Sequence, residues 1–206
     1  MPREWDGIVS QYINRRVSRP MAKFLAKHTC ISPNHITFIS FLTAVFSGIA
    51  FSLNHMMLGG VLAQIASILD GVDGDLAVLT NRVSPFGGFL DAMLDRYGDA
   101  AILMGMTYLI ATTKCYDIAC IIVAFAALLG SLLVSYSRVR ARADLGLAFN
   151  RGFTGYAANR DVRLFIIMVG GLLGQAFITL ALIASLTNLN VMSRIWISWK
   201  SVKVEK

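Results

Sequence analysis

The sequence predicts an all-α polytopic membrane protein, six transmembrane helices preceded by an amphipathic interfacial helix. Three observations carry this reading. First, 56% of the 206 residues are hydrophobic and 15% are charged, against about 25% charged in a soluble domain, and the mean hydropathy is +0.62. Second, apolar runs recur near the roughly 20 residues that a spanning helix needs. Third, Lys and Arg gather between those runs on what becomes one side. A disordered chain is excluded, because it requires low hydrophobicity. The basic balance is 19 Lys+Arg against 12 Asp+Glu, net +7. Cytoplasmic loops of membrane proteins collect such charge, so no nucleic-acid partner is expected.

The chain divides into residues 1–30, 31–200 and 201–206: a juxtamembrane helix, one membrane domain and a basic tail. From Trp5 to His28, Ile8, Tyr12, Ile13, Val17, Met21, Phe24 and Leu25 recur at helical spacing. Arg15, Arg16, Arg19, Lys23 and Lys27 fill the other faces. Such a helix lies in the headgroup plane, basic side toward anionic lipid. No apolar run precedes Pro33, so no signal peptide is expected. The first span runs from about Pro33 to Leu53, with Ser32 as N-cap and Pro33 at the first helical position. The second runs from about Leu58 to Leu79, the third from Pro85 to about Ala111, the fourth from Tyr116 to Tyr136. A basic stretch, Arg138 to Arg160, follows. Asp161 to about Ile197 is long for one span, and Gly170, Gly171 and Gly174 supply a turn that makes it two. With six spans both termini are cytoplasmic. Arg82, the Arg138–Arg163 cluster, Arg194, Lys200, Lys203 and Lys206 then share that side. Lys114 falls opposite, and Arg96 lies inside a span. Five spans would put the basic C-terminus outside, against the positive-inside tendency. Cys30, Cys115 and Cys120 have no metal spacing, and their odd number argues against a disulfide framework. They read as packing residues.

The carboxylates are the informative feature. Asp70, Asp73 and Asp75 lie late in the second span; Asp91, Asp95 and Asp99 lie in the third. A charge at a span's centre costs about 2.5–3.5 kcal/mol on insertion scales. Only Arg82 and Arg96 are nearby cations, so the simplest compensation is a divalent metal, which wants several oxygens. Asp70 and Asp73, at i and i+3, share a helix face, as do Asp91 and Asp95 at i and i+4. A short connection makes the two helices antiparallel, with acidic faces opposed near their cytoplasmic ends. Gly71, Gly74, Gly87 and Gly88 remove bulk beside them.

The stretch Asp70-Gly-Val-Asp73-Gly74-Asp-Leu-Ala77-Val78, eight residues, then Gly87-Gly-Phe-Leu-Asp91-Ala-Met-Leu-Asp95 resembles the signature of the CDP-alcohol phosphotransferase family. That signature is D-x-x-D-G-x-x-A-R, eight residues, G-x-x-x-D-x-x-x-D. The segment Ile31-Ser-Pro33-Asn34-His-Ile-Thr37 resembles the family's entry to its first span. The resemblance implies a six-span fold over most of the chain and a transferase reaction. An acceptor hydroxyl attacks the β-phosphorus of a CDP-alcohol, CMP leaves and a phosphodiester forms. It further implies Mg2+ or Mn2+, two ions, held by Asp70, Asp73 and Asp91 with Asp95 at the edge. Asp95 is also the implied general base. Asp70, Asp73, Gly74, Ala77, Gly87, Asn34 and Thr37 are implied on the CDP side, and a homodimer among membrane lipids is expected. The family's Arg after the alanine is Val78 here, and Arg82, one turn on, is the candidate substitute. Asp75 is expected to cap or face solvent, and Asp99 to pair with Arg96 or Lys114.

Ser135-Tyr-Ser-Arg138-Val-Arg140-Ala-Arg142 follows the fourth span, and Asn159-Arg160-Asp-Val-Arg163 opens the fifth. Arginine forks suit phosphate oxygens. This resembles the family branch whose acceptor is inositol phosphate, making either an inositol lipid or a soluble di-inositol phosphate. Ser135, Arg138, Arg140, Arg142, Arg160 and Arg163 are the acceptor candidates; membrane-side charge is the plainer explanation. Two other classes also place carboxylates in membranes. An intramembrane prenyltransferase has Asp-rich magnesium motifs, but far apart and on more spans. An ion or proton transporter lines its pathway with carboxylates, but often shows internal repeats, and none is visible.

Overall fold

The computed structural model describes residues 9–113, 118–149 and 152–204, with side chains through Ser201. Trp5, Ile8, Lys114, Cys115, Tyr116 and Lys206 lie outside the described residues, as does the side chain of Lys203. A π-helical turn, Ser10–Asn14, runs into α1 (Arg15–His28). Then come α2 (Pro33–Ser52), α3 (Met56–Leu79), α4 (Pro85–Thr113) and α5 (Ile118–Leu145). A short α6 (Gly152–Tyr156), α7 (Arg160–Leu172) and α8 (Ala176–Val204) complete the chain. The described residues contain no β-strand, so the all-α class holds.

Among the described residues, four helices, α2, α3, α5 and α8, are long and apolar enough to cross a membrane. The two other expected spans differ for physical reasons. α4 is 29 residues long, but its N-terminal half carries Asp91, Asp95, Arg96 and Asp99. α7 has 13 residues, about 20 Å of helix, short of the ~30 Å hydrocarbon layer. The last turn falls where the glycines place it: Gly174 has φ +66°, a value glycine adopts without penalty. The basic stretch is not a plain loop. α5 continues nine residues past Tyr136, carrying Arg138, Arg140 and Arg142 on helix.

The core joins Phe51 of α2, Ala63 and Ala66 of α3 and Ile102, Met106 and Leu109 of α4 with Leu164, Ile167, Leu180 and Ile183 of α7 and α8. α2 and α4 meet backbone to backbone. A Cβ on Gly105 would strike the carbonyl of Gly48, and one on Gly48 the carbonyl of Ala101. Small residues permit this approach, and it fixes α4 against the first half of the bundle.

α1 corrects one expectation. Tyr12, Ile13, Val17, Met21 and Phe24 are exposed, as a lipid-facing stripe would be. But the face turned onto α3 is polar and small: Asn14, Arg15, Ser18 and Ala22 are buried. Asn14 accepts from Gln64 at 2.7 Å and donates to Ser67 at 2.8 Å. Arg15 does not point at headgroups; its Nη1 lies 2.6 Å from Asp75 Oδ1. Asp75 is therefore an ion-pair partner rather than a cap. Arg194 is a second correction. It is 2% exposed, donates to the Thr154 and Val134 carbonyls and Ser137 Oγ, and ties α8 to α5 and α6. Cys120 packs on the core, whereas Cys30 is exposed.

Candidate active site

Carboxylates from the C-terminal half of α3 and the N-terminal half of α4 converge, although the two helices hardly pack on each other: each packs on α2, which holds them in place. Asp70, Asp91 and Asp95 each present a carboxylate oxygen, all within 4.8 Å of one another. Asp91 Oδ1 is buried without a hydrogen-bond partner. Convergent hard oxygens with one orphan suit a divalent cation. Asp73 stands outside this trio. Its Oδ2 accepts from Thr37 Oγ1 at 2.6 Å, which is how α2 sets the rotamer of Asp73.

The cluster's positive charge arrives from far along the chain. Arg160, the first residue of α7, puts Nη1 3.0 Å from Asp70 Oδ1 and 2.9 Å from Asp95 Oδ1. Its Nε donates to Asp99 Oδ1 at 3.1 Å. Arg163, one turn on, holds the other oxygen of Asp99 and donates to the Ala158 carbonyl at 2.8 Å. Asp99 thus pairs with Arg160 and Arg163, not with Arg96, which reaches Asp95, the Ala92 carbonyl and Ser135 Oγ.

Two cavities open beside the aspartates. One, about 370 Å³, is lined by Asn34, Thr37, Gly74, Ala77, Val78, Arg82, Ser84, Gly87 and Gly88. Asp73, Gly74 and Asp91 form its inner wall and also belong to the second cavity, about 360 Å³. The second is lined by Asp70, Asp95, Ser135, Arg138, Asn159, Arg160 and Arg163, and also by Ser10, Asn14, Arg15, Ser67, Arg96 and Asp161. We call them the glycine cavity and the arginine cavity.

The glycine cavity gathers every residue predicted on the CDP side except Asp70, which lies in the arginine cavity. Arg82 reaches it through the end of α3. Asn81 has φ +53°, and the Arg82 N–H returns to the Ala77 carbonyl at 2.9 Å while the Asn81 N–H bonds to the Val78 carbonyl at 3.3 Å. This Schellman turn folds residue 82 back beside Ala77. Of the acceptor candidates, Ser135, Arg138, Arg160 and Arg163 line the arginine cavity. Arg140 and Arg142 do not; both are exposed, and Arg140 pairs with Asp144 at 2.7 Å. Arg138 bonds to Asn159 and to the Gly155 carbonyl. Sequence reasoning misses the N-terminal wall. Its signal is the polar set Asn14, Arg15 and Ser18 on one helical face, matched by Gln64 and Ser67 in the otherwise apolar first half of α3.

Residues 30–201 match the profile of the CDP-alcohol phosphatidyltransferase family. The chain belongs to that family. A bifunctional IPC transferase and DIPP synthase of Rubrobacter xylanophilus is 42% identical over 92% of this chain. Its counterpart in Aquifex aeolicus is 35% identical over 95%. The chain spans 42% and 45% of those two proteins, less than half of their length. The archaetidylinositol phosphate synthase of Pyrococcus horikoshii is 34% identical over 84% of this chain and 87% of its own length. The phosphatidylinositol phosphate synthase of Mycobacterium tuberculosis, solved with CDP-DAG bound, has a TM-score of 0.75 at 24% identity, covering 89% of this chain and 94% of that one. That likeness shows a shared fold. As a CDP-alcohol phosphatidyltransferase family member, the chain departs from the signature at Val78, which is 54% exposed on the rim of the glycine cavity.

Proposed function

We propose that this chain is a membrane-embedded, metal-dependent phosphotransferase. It moves a substituted phosphate from a CDP-alcohol to a hydroxyl of a phosphorylated inositol and releases CMP. One observation carries the reading: the two cavities share the wall Asp73, Gly74 and Asp91. A donor in one and an acceptor in the other meet at the aspartates, and proximity of that kind supplies much of a transfer rate. The glycine cavity holds the nucleotide end, with Asn34, Thr37, Gly74, Ala77 and Gly87 around it and Arg82 near its phosphates. The arginine cavity holds the acceptor, its phosphate toward Arg138 and Arg160 and its hydroxyls toward Ser135. Arg163 acts by holding Asp99.

Phosphoryl transfer depends on positioning and charge neutralisation. Asp70, Asp91 and Asp95, with Asp73 adjoining, would hold two divalent ions, Mg2+ or Mn2+, which supply charge neutralisation at the pyrophosphate. Asp95 accepts the proton of the attacking hydroxyl as the acceptor oxygen bonds to the β-phosphorus, and the bond to CMP breaks. In the membrane we place both termini and the site on the cytoplasmic side of the cell membrane, α4 and α7 completing six spans, the 13-residue α7 by local thinning of the bilayer, and α1 at the interface with its exposed apolar stripe in lipid. The membrane domain is residues 31–200, the juxtamembrane helix 1–30 and the basic tail 201–206; a homodimer completes the assembly. Membership of this family sets aside the prenyltransferase and transporter alternatives.

The test is CMP release by purified protein given CDP-inositol or a CDP-lipid, each with inositol phosphate. Release with one donor, lost on chelation and restored by Mg2+ or Mn2+, is expected, and the donor that works separates soluble from lipid product. Release with neither donor rejects the inositol acceptor.

A further inference from the structure

Arg160 is tied to the acidic cluster in two different ways. Its Nε donates a directed hydrogen bond to Asp99, which Arg163 pins from the other side. Its Nη1 is within 3.0 Å of Asp70 and Asp95, yet it has no hydrogen bond of acceptable geometry. Those two contacts are charge contacts only. Directed bonds to ions are worth more than misaligned ones, so the guanidinium is anchored at Nε and releasable at Nη1. The oxygens that Nη1 neutralises belong to two of the three aspartates suited to a divalent cation. The same guanidinium lines the cavity that also holds Arg138.

We propose that Arg160 is the resident counter-ion of the aspartate cage, pivoting on Asp99. Nη1 holds Asp70 and Asp95 together until a phosphate monoester enters the arginine cavity and draws it away. Cation binding and Nη1 then cease to compete for the same carboxylates. Two sites that share one movable charge are coupled, and the coupling is reciprocal. A phosphate monoester on the acceptor side therefore tightens divalent-ion binding, and the ion tightens phosphate binding. This rests on the metal-dependent function proposed above.

The experiment is a Mn2+ titration of the detergent-purified full chain, free Mn2+ being read by electron paramagnetic resonance against a protein-free blank. It is run alone, with inorganic phosphate and with CMP. In the parent protein phosphate is expected to tighten Mn2+ binding by at least about fivefold, the lower end of usual coupling. In Arg160→Gln, Mn2+ alone binds roughly tenfold tighter than in the parent, and the phosphate effect falls below about twofold. Arg160→Lys keeps a positive but smaller phosphate effect. CMP, a donor-side ligand, shifts Mn2+ binding equally in parent and Arg160→Gln. Absence of phosphate coupling in the parent overturns the tie without any variant. So does coupling that persists in Arg160→Gln, which would mean that phosphate meets the ion directly, or a CMP effect that disappears with Arg160. Failure of the parent to bind Mn2+ at all overturns the metal-dependent function itself.

Discussion

The glycine cavity and the arginine cavity share a wall and are built in opposite ways. The first is made of consecutive sequence: one turn of α2, the end of α3, the connection and the start of α4, all between residues 33 and 91. The second is assembled from the N-terminal segment, α3, α4, α5 and the start of α7, spanning residues 10 to 163. The first is small-residue backbone with one cation, Arg82. The second is a dense set of arginines and carboxylates, several of them in ion pairs and some, such as Asp91 Oδ1, without a hydrogen-bond partner. A contiguous motif fixes the geometry of the cavity we assign to the donor, while the fold as a whole must come together to make the one we assign to the acceptor. Damage to local sequence should therefore affect the donor, and damage to distant packing should affect the acceptor.

The shared wall is where both fail together. Asp91→Asn removes the negative charge of an aspartate that lines both cavities, and CMP release should fall on the order of a hundred- to a thousandfold. A loss confined to KM for one substrate would break the comparison. Next comes the remote N-terminal wall. Arg15→Ala strips an ion-pair cation from Asp75, whose side chain is 15% exposed, and should lower stability by roughly 3 kcal/mol, seen as a lower melting temperature in detergent. KM for the acceptor should rise while KM for the donor holds. Equal rises would show that α1 supports the whole bundle rather than one cavity. Thr37→Val removes the hydroxyl that orients Asp73, and about 1 kcal/mol of lost hydrogen bonding should raise donor KM about fivefold with little change for the acceptor. The smallest effect belongs to Arg140→Ala. Its exposed pair with Asp144 is worth about 0.3–0.5 kcal/mol, and turnover should match the parent.

The difference between the cavities also decides what the sequence can reveal. Helical spacing alone pairs Asp70 with Asp73 and Asp91 with Asp95, but does not say which of them converge: Asp70 joins Asp91 and Asp95, while Asp73 is turned to Thr37. The helix boundaries around α2, α3 and the start of α4 are legible too, where Pro33 and Pro85 mark the first residues. Sequence marks Arg160 as a cation near a site, but not as the partner of Asp70, because no periodicity links residues 70 and 160. Proximity in sequence assigns Asp99 to Arg96 or Lys114, whereas α7 supplies two arginines at the right depth. Arg15 and Arg194 read as membrane-surface charge in sequence; each is buried against a carboxylate or carbonyls that only tertiary packing brings near. The four apolar spans announce themselves by composition. α4 and α7 are less plain, since one carries the charges of the site and the other is only 13 residues long, between the Asn159 N-cap and the turn at Gly174.

The contact of Gly48 with Gly105 has a mechanical consequence. Two rods whose main chains touch can neither slide nor roll past one another without a clash, so α4 is the fixed jaw of the enzyme. The remaining walls of the arginine cavity come from side chains of α1, α5 and α7, so differences in acceptor shape would be met there. A bulky residue at position 105 would unseat the fixed jaw and disable both substrates at once, whereas bulk on those walls would change which acceptor is preferred.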